Sequence, residues 1–316
     1  MNPVVTIVVP GHDVAPYAPD ALASLRAQTF PAWTAVLVDD GSSDGTSELF
    51  AAAAAADPRF RVVRHPARRG LGSARNTGVS LVDTPFLGFL DADDVLLPDA
   101  LTRLTATLDA SGSDFVAGAY VRLAADDAGA YSPGPVQPWV QAATDPARLS
   151  VTIDEHPEAS GNVVAWSKLV RTDFWRRARL RFPEGRLYED QVLAQLMYCR
   201  ARRFDVVPDV VVHWRVRAEG TSITQQEDRL DVLRDCLDAM REGLAILDAA
   251  DHPLAAGARV RLLLRMDVPR LARIAAGHPE DEYRRMLGTF ARMLAEHPQA
   301  DPADLSSPLV SAARLW

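Results

Sequence analysis

Four short apolar runs constrain this chain more than anything else in it: Val4–Val9, Thr34–Asp39, Phe60–His65 and Phe86–Leu90. All four read as strands, Val4–Val9 as a buried one and Phe86–Leu90, apolar and without a helical period, as one buried on both faces. Helical stretches separate them: Pro19 to Gln28, the segment through Ala51–Ala56, and a helix opened by Gly70–Leu71–Gly72 that carries Arg75 and Asn76. Asp44 is the expected N-cap of the second helix, because its carboxylate can accept a free first-turn amide. Strands alternating with helices at this pitch predict a parallel sheet with right-handed crossovers. Ligands of such sheets bind beyond the carboxyl ends of the strands.

Those carboxyl ends are acidic. Asp13 follows the first run, Asp39 and Asp40 close the second, and Phe86–Leu90 leads straight into Asp91, Asp93 and Asp94. Carboxylates crowded where a strand leaves a sheet repel one another, and their natural counterpart is a hard divalent cation that also holds a phosphate-bearing ligand. A polar turn capping the helix that starts near Pro98 accounts for the same residues, and Asp94 suits that turn. Carboxylates far apart in sequence yet on one predicted rim favour a functional rim over separate turns.

Further along, a helix over Pro98–Ala110 and a strand over Phe115–Leu123 precede a stretch rich in Ala, Asp, Gly and Pro that reaches Pro146. A loop that long is either mobile or functional, and Trp139 within it either covers a ligand or packs. Ala165–Val170, a helix through Phe174–Trp175 and a loop over Arg181–Gly185 follow. Tyr188–Glu189–Asp190 then begins a helix running to Ala201. Phe204–Val207 and Val210–Val216, joined at Pro208–Asp209, predict a hairpin ending in His213, Trp214, Arg215 and Arg217. The pattern from Gln225 onward is helical, which divides the chain into residues 1–224 and 225–316.

Its 316 residues, 48% of them hydrophobic, are ample for one large core and an extension. A net charge of −8 argues against nucleic acid as a partner. Cys199 and Cys236 are the only cysteines and lack metal-ligand spacing, as expected in a reducing, cytoplasmic setting. The amino terminus lacks the basic start and cleavage site of a signal peptide, and no run approaches the roughly 20 apolar residues that span a bilayer. Peripheral contact at the inner face of a membrane stays open. The stretch Arg259–Ile274 alternates arginines with leucines and suits an anionic membrane surface or acceptor, or packing within a helical bundle or homo-oligomer.

Taken together, TIVVPGHD, SLRAQTFPAW, VLVDDGSSDGT, ARNTG, FLGFLDADD, AWSKLVR, RFPEGRLYED and HWRVRAEGTSIT resemble the family 2 glycosyltransferases of the GT-A fold over residues 3–224. The resemblance implies an α/β, Rossmann-like, mostly parallel sheet with helices on both faces, followed here by a helical region. It implies an inverting enzyme that uses Mn²⁺ or Mg²⁺ to move a sugar from a nucleotide diphosphate sugar, with UDP-sugars favoured, to a glycan or cell-envelope polymer. Around the donor it places Pro10, Asp13, Asp40, Arg75, Asp91, Arg215, Arg217 and Ser222. Asp40 would accept the imino N–H of uracil, and Asp13 stands where the family often has asparagine. Arg75 would lie near the nucleotide, offering its fork of donors to base oxygen or phosphate.

Asp91 and Asp93 match the DXD motif, with Asp93 as the direct metal ligand and Asp91 nearer the ribose. His213 is either a further metal or diphosphate contact or a structural histidine. Glu189–Asp190 matches the ED motif: Asp190 as the general base that inversion by direct displacement requires, Glu189 orienting the acceptor or the base. At a helix start either acid also complements the helix dipole. Trp166 and Lys168, the sole lysine, fall under the acceptor site, and Arg215, Arg217 and the Gly220–Thr221–Ser222 turn match a segment that closes over the diphosphate or meets the acceptor. The QxxRW segment of processive synthases is missing, so adding one or a few sugars is expected. A nucleotidyltransferase would need a glycine-rich signature with a lysine near the amino terminus, and none is there. A non-catalytic nucleotide-sugar binder or assembly partner is countered by the intact Asp91, Asp93 and Asp190.

Overall fold

The apolar runs fold as their alternation predicts. The computed structural model describes residues 2–126, 128–220, 222 and 225–316. It opens with β1 (Val5–Gly11), α1 (Ala18–Arg26), β2 (Trp33–Asp39), α2 (Thr46–Ala56), β3 (Phe60–Arg64), α3 (Leu71–Val79) and β4 (Phe86–Phe89). These strands lie in the order β3-β2-β1-β4, all parallel, with Val8 beside both Val36 and Phe89. The side chains of β1, β2 and β4 are buried on both faces, as their apolar runs require, whereas β3, at the edge of the sheet, buries only Phe60. Helix α3 lies hard against β1 at Gly78, where a Cβ would sit 2.3 Å from Val8 Cγ1. The register brings the ends of β1, β2 and β4 level, since Asp40 N–H reaches the Gly11 carbonyl and Ala92 N–H the Pro10 carbonyl.

Beyond β4 the sheet is mixed rather than parallel. There follow β5 (Val95–Leu96), α4 (Ala100–Ser111), β6 (Phe115–Ala125), β7 (Tyr131–Val136), α5 (Pro138–Thr144), β8 (Arg148–Val151), β9 (Lys168–Arg171), α6 (Thr172–Arg177), α7 (Glu189–Arg200) and β10 (Phe204–Val216). The sheet continues β4-β9-β6-β10-β5, with β9 antiparallel to both its neighbours and β10 parallel to β6.

Several expectations are corrected here. The stretch expected to be a long loop up to Pro146 contains β7, paired with β6, and α5. The hairpin expected at Pro208–Asp209 is one continuous strand, β10, whose pairing with β6 slips between Val207 and Val210. A proline has no N–H to give the ladder, and the irregularity accommodates it without reversing the chain. The N-cap of α2 is Gly45, at φ +100°. Asp44 still accepts the Thr46 amide, at 3.0 Å, from one position earlier, and also holds Ala15 N–H at 2.8 Å.

The remaining elements are α8 (Leu230–Ala249), α9 (Pro253–Leu262), a π-helical turn (Leu263–Asp267), α10 (Val268–Gly277), α11 (Asp281–Ala295), α12 (Pro302–Leu305) and α13 (Pro308–Leu315). Leu233, Leu237, Leu244 and Leu247 of α8 recur at helical spacing and are buried. Within Arg259–Ile274, Leu263, Leu264, Val268 and Leu271 are buried, as is Arg259 itself. Helix packing therefore occupies the apolar face that a membrane-surface role would need. No helix among the described residues is long and apolar enough to cross a membrane.

Candidate active site

A cleft of about 790 Å³ opens at the carboxyl ends of β1, β2 and β4. Pro10, Asp13, Asp40, Arg75, Asp91, Asp93, Trp166, Glu189, Asp190, Arg217 and Ser222 line it, so most of the residues singled out by sequence do meet. Asp40 is 3% exposed. Its carboxylate accepts from His65 Nδ1 at 2.6 Å, Arg69 N–H at 2.9 Å and Gly70 N–H at 2.8 Å. Three donors on two carboxylate oxygens leave one acceptor site, on Oδ2, for a ligand. Asp13 is exposed, at φ +48°, and accepts Ser43 N–H at 2.8 Å.

The loop after β4 is braced from two sides. Arg75, 1% exposed, gives Nη2 to Asp91 Oδ1 at 2.7 Å and Nη1 to Glu189 Oε1 at 2.5 Å. One guanidinium thus joins the DXD loop to the start of α7. It lines the cleft, as expected for a residue near the nucleotide, with each terminal nitrogen giving one bond to a carboxylate. Arg217 gives Nε and Nη2 to Asp93 Oδ2, at 2.8 and 2.7 Å. Burial pushes the Asp93 carboxyl up, against the pull of Arg217, and pushes Asp94 up further with help from Asp93 and Asp91. Asp94 accepts Arg215 N–H at 2.8 Å, and its other oxygen is buried without a partner among the described residues.

Arg215, His213 and Lys168 do not line the cleft. Arg215 supports the acidic loop from behind, with Nε on the Asp93 carbonyl and Nη2 on Asp20, each at 2.8 Å. His213 shares that side of β10 by strand alternation, opposite Trp214, which does face the cleft. Lys168 is 3% exposed and gives Nζ to the carbonyls of Asn162 at 2.8 Å and Val164 at 2.7 Å, beneath the turn carrying Trp166. Burial pushes its ammonium down to about 7.

At the far wall, Trp166 meets Tyr120 edge-on with centroids 4.7 Å apart and tilts toward Trp214 at 6.4 Å. Asp190 is half-buried in the first turn of α7. Burial raises its carboxyl, with Asp91 adding to the rise and Arg75 and Lys168 opposing it. Glu189 is 2% exposed, and burial lifts it to about 7 despite Arg75. Helix α3 approaches closely enough for Arg75 to reach because residue 72 is glycine: a Cβ there would lie 2.1 Å from the Pro183 carbonyl oxygen. Ser222 N–H donates to Gln225 Oε1 at 3.1 Å, while Thr221 lies outside the described residues.

Sequence reasoning missed His12, Trp214, Tyr188, Arg229, Asp231 and Asp235, which also line the cleft. His12 carried a usable signal, its place directly after β1, and its Nδ1 donates to the Asp40 carbonyl at 2.9 Å. The residues from α8 and its approach carried none.

Among the described residues no cluster of three or more His, Cys, Asp or Glu side chains forms a metal cage. Asp91 and Asp93 nevertheless fit a partial one. Each has one carboxylate oxygen in an ion pair and a second to offer, and Mg²⁺ is commonly held by one or two carboxylates together with substrate phosphates.

Residues 6–133 match the family model described as Glycosyl transferase family 2. Among curated relatives, the uncharacterized glycosyltransferase EpsJ of Bacillus subtilis (strain 168) is 30% identical over 68% of this chain and 62% of its own length. Glycosyltransferase GlyA of Streptococcus pneumoniae serotype 4 is 25% identical over 79% of this chain and 35% of its own length. This chain thus spans less than two thirds of either relative. Among solved structures, Staphylococcus aureus TarS 1–349 in complex with UDP-GlcNAc matches all of this chain and 88% of its own, with a TM-score of 0.73 at 19% identity. The mannosyltransferase PcManGT from Pyrobaculum calidifontis, in complex with GDP-Man and Mn²⁺, also covers all of this chain and 87% of its own, at a TM-score of 0.58 and 18% identity.

Proposed function

This chain carries a family 2 glycosyltransferase domain on the GT-A fold, and from that premise we propose that it transfers a sugar, with inversion, from a nucleotide diphosphate sugar to a hydroxyl of a cell-envelope glycan. UDP is the favoured nucleotide. The observation that carries this is the double ion pair of Arg75, which sets the acidic loop after β4 and the Glu189–Asp190 pair on two walls of one cleft.

The base sits against the remaining acceptor site of Asp40, and Arg217, beside Asp93, is the donor facing the diphosphate. Asp91 and Asp93 would hold Mn²⁺ or Mg²⁺, which would supply positive charge against the leaving diphosphate. Asp190 takes the proton of the acceptor hydroxyl as its oxygen attacks the anomeric carbon from the side opposite the departing phosphate oxygen. The raised carboxyl of Asp190 suits a base working near neutral pH better than an ordinary aspartate. Trp166 and Trp214 offer apolar faces to the acceptor sugar. Arg215 and Lys168 support these groups from behind. The free thiols of Cys199 and Cys236 support a reducing, cytoplasmic setting.

The test is binding and hydrolysis of a panel of UDP-, GDP- and dTDP-sugars with Mn²⁺, for wild type and for Asp93→Ala and Asp190→Ala. Turnover of one donor, loss of metal-dependent binding in Asp93→Ala, and binding without turnover in Asp190→Ala are expected. Binding without turnover by wild type, even with acceptor glycans present, would favour a non-catalytic nucleotide-sugar protein. No binding of any donor would refute the proposal.

A further inference from the structure

The segment that delivers Asp190 is held by residues from beyond Gln225. Leu187 N–H donates to Asp235 Oδ2 at 2.9 Å, Arg186 Nη1 to Glu242 Oε2 at 2.6 Å, and Tyr188 OH to Glu227 Oε1 at 2.9 Å. One turn into α7, Gln191 Oε1 accepts from Arg259. Tyr188, next to Glu189 and Asp190, stands at φ +58°. A bulky side chain keeps that left-handed conformation only where its surroundings fix it.

Glu227 is itself fixed. It is 5% exposed, pairs with Arg270 of α10, and its carbonyl accepts Tyr283 OH of α11 at 2.8 Å. From the sheet side, Arg75 holds the same segment through Glu189. We propose that the helical region 225–316 is a clamp for the general base, with Glu227 and Asp235 as positioning residues that hold Tyr188 left-handed and so aim Asp190 into the cleft. The inference rests on the role given to Asp190 above. Release of Tyr188 to an ordinary φ would turn the backbone immediately before the base, and a displacement of about 1 Å at such a group can cost about a hundredfold in rate.

Three variants test it. Tyr188→Phe removes one hydroxyl and leaves the Glu227–Arg270 pair intact, Glu227→Ala removes the acceptor, and Glu227→Gln retains an acceptor oxygen. Hydrogen exchange of a peptide spanning residues 185–192 is measured beside kcat and donor affinity. Tyr188→Phe is expected to speed exchange there and to lower kcat about tenfold, the factor for one lost buried hydrogen bond, with donor affinity within about twofold. Glu227→Ala should do the same, and Glu227→Gln should restore wild-type behaviour. If Glu227→Ala does not fold, Tyr188→Phe decides. Unchanged exchange in Tyr188→Phe overturns the clamp, as does faster exchange with unchanged kcat in an active enzyme. Should wild type show no turnover, the transferase proposal fails by itself, and exchange in Tyr188→Phe still decides whether this segment is clamped.

Discussion

Arg75→Met removes the guanidinium that Asp91 and Glu189 share. Asp91 keeps some access to solvent, its side chain being 22% exposed, whereas Glu189 at 2% is left as an uncompensated buried charge. Breaking a buried pair in this way costs about 3–5 kcal/mol. Glu189 can escape part of that by taking up a proton, so the cost depends on pH. Burial already lifts its carboxyl from the ordinary 4.5 to about 7 with Arg75 in place. A carboxyl raised by folding gives its full stability below the unfolded value and loses it as pH climbs through the folded one. Wild type therefore loses this contribution over a window from about pH 4.5 to about pH 7 and then levels off. Without the guanidinium the folded value rises further, so the variant goes on losing stability above neutrality. If Glu189 in the variant keeps its proton up to about pH 8, the deficit relative to wild type widens by about 1.4 kcal/mol between about pH 6 and pH 8. Urea denaturation of both proteins at these two pH values measures it. A deficit that is constant, or smaller at the higher pH, would refute the assignment of Arg75 as the counter-charge of Glu189.

Asp190→Asn is expected to lower kcat by about 10²–10⁴ with donor affinity unchanged by calorimetry. Because burial raises the Asp190 carboxyl and the base must be ionised, wild-type kcat should climb with pH above the ordinary aspartate range; a flat profile there would count against the role. Gly72→Ala places a methyl 2.1 Å from the Pro183 carbonyl oxygen, so α3 must retreat with Arg75, at a cost of about 1–3 kcal/mol visible in thermal melting. An unchanged melt would mean the contact yields freely. Arg217→Ala frees Asp93 and removes a phosphate donor; donor affinity should fall about tenfold and stability by about 1 kcal/mol. Unaltered affinity would separate Arg217 from the diphosphate.

The acidic rim was legible because it follows from topology alone. Once β1, β2 and β4 are parallel neighbours, their carboxyl ends must share one edge, and Asp13, Asp40 and Asp91–Asp94 sit immediately after those strands. What each carboxylate does there was less legible, because it depends on partners remote in sequence. Arg75 and Glu189 lie 114 positions apart, and nothing local marks one as the other's counter-ion. Pro208–Asp209 looked like a turn for a similar reason. The dipeptide's own preference is to reverse the chain, but hydrogen bonds to β6 on either side of it keep β10 running.

The same limit applied to strand faces and to the carboxyl-terminal helices. Arg215 and Arg217 looked equivalent in HWRVRAEG, yet β10 ends at Val216. Arg215 is fixed under the acidic loop with His213 on its side of the strand, and Arg217, past the end, turns back to Asp93. The face of a strand residue follows only once the strand's limits and sheet neighbours are known. Residues 225–316 carried no motif, since Glu227 and Asp235 gain their meaning only when α8 packs along α7 and brings them to Tyr188 and Leu187. A motif records side chains that meet the ligand. The residues that aim those side chains leave no such mark, because any donor or acceptor reaching the same backbone would serve. That is why sequence placed Asp190 in the site but could not show what holds it there.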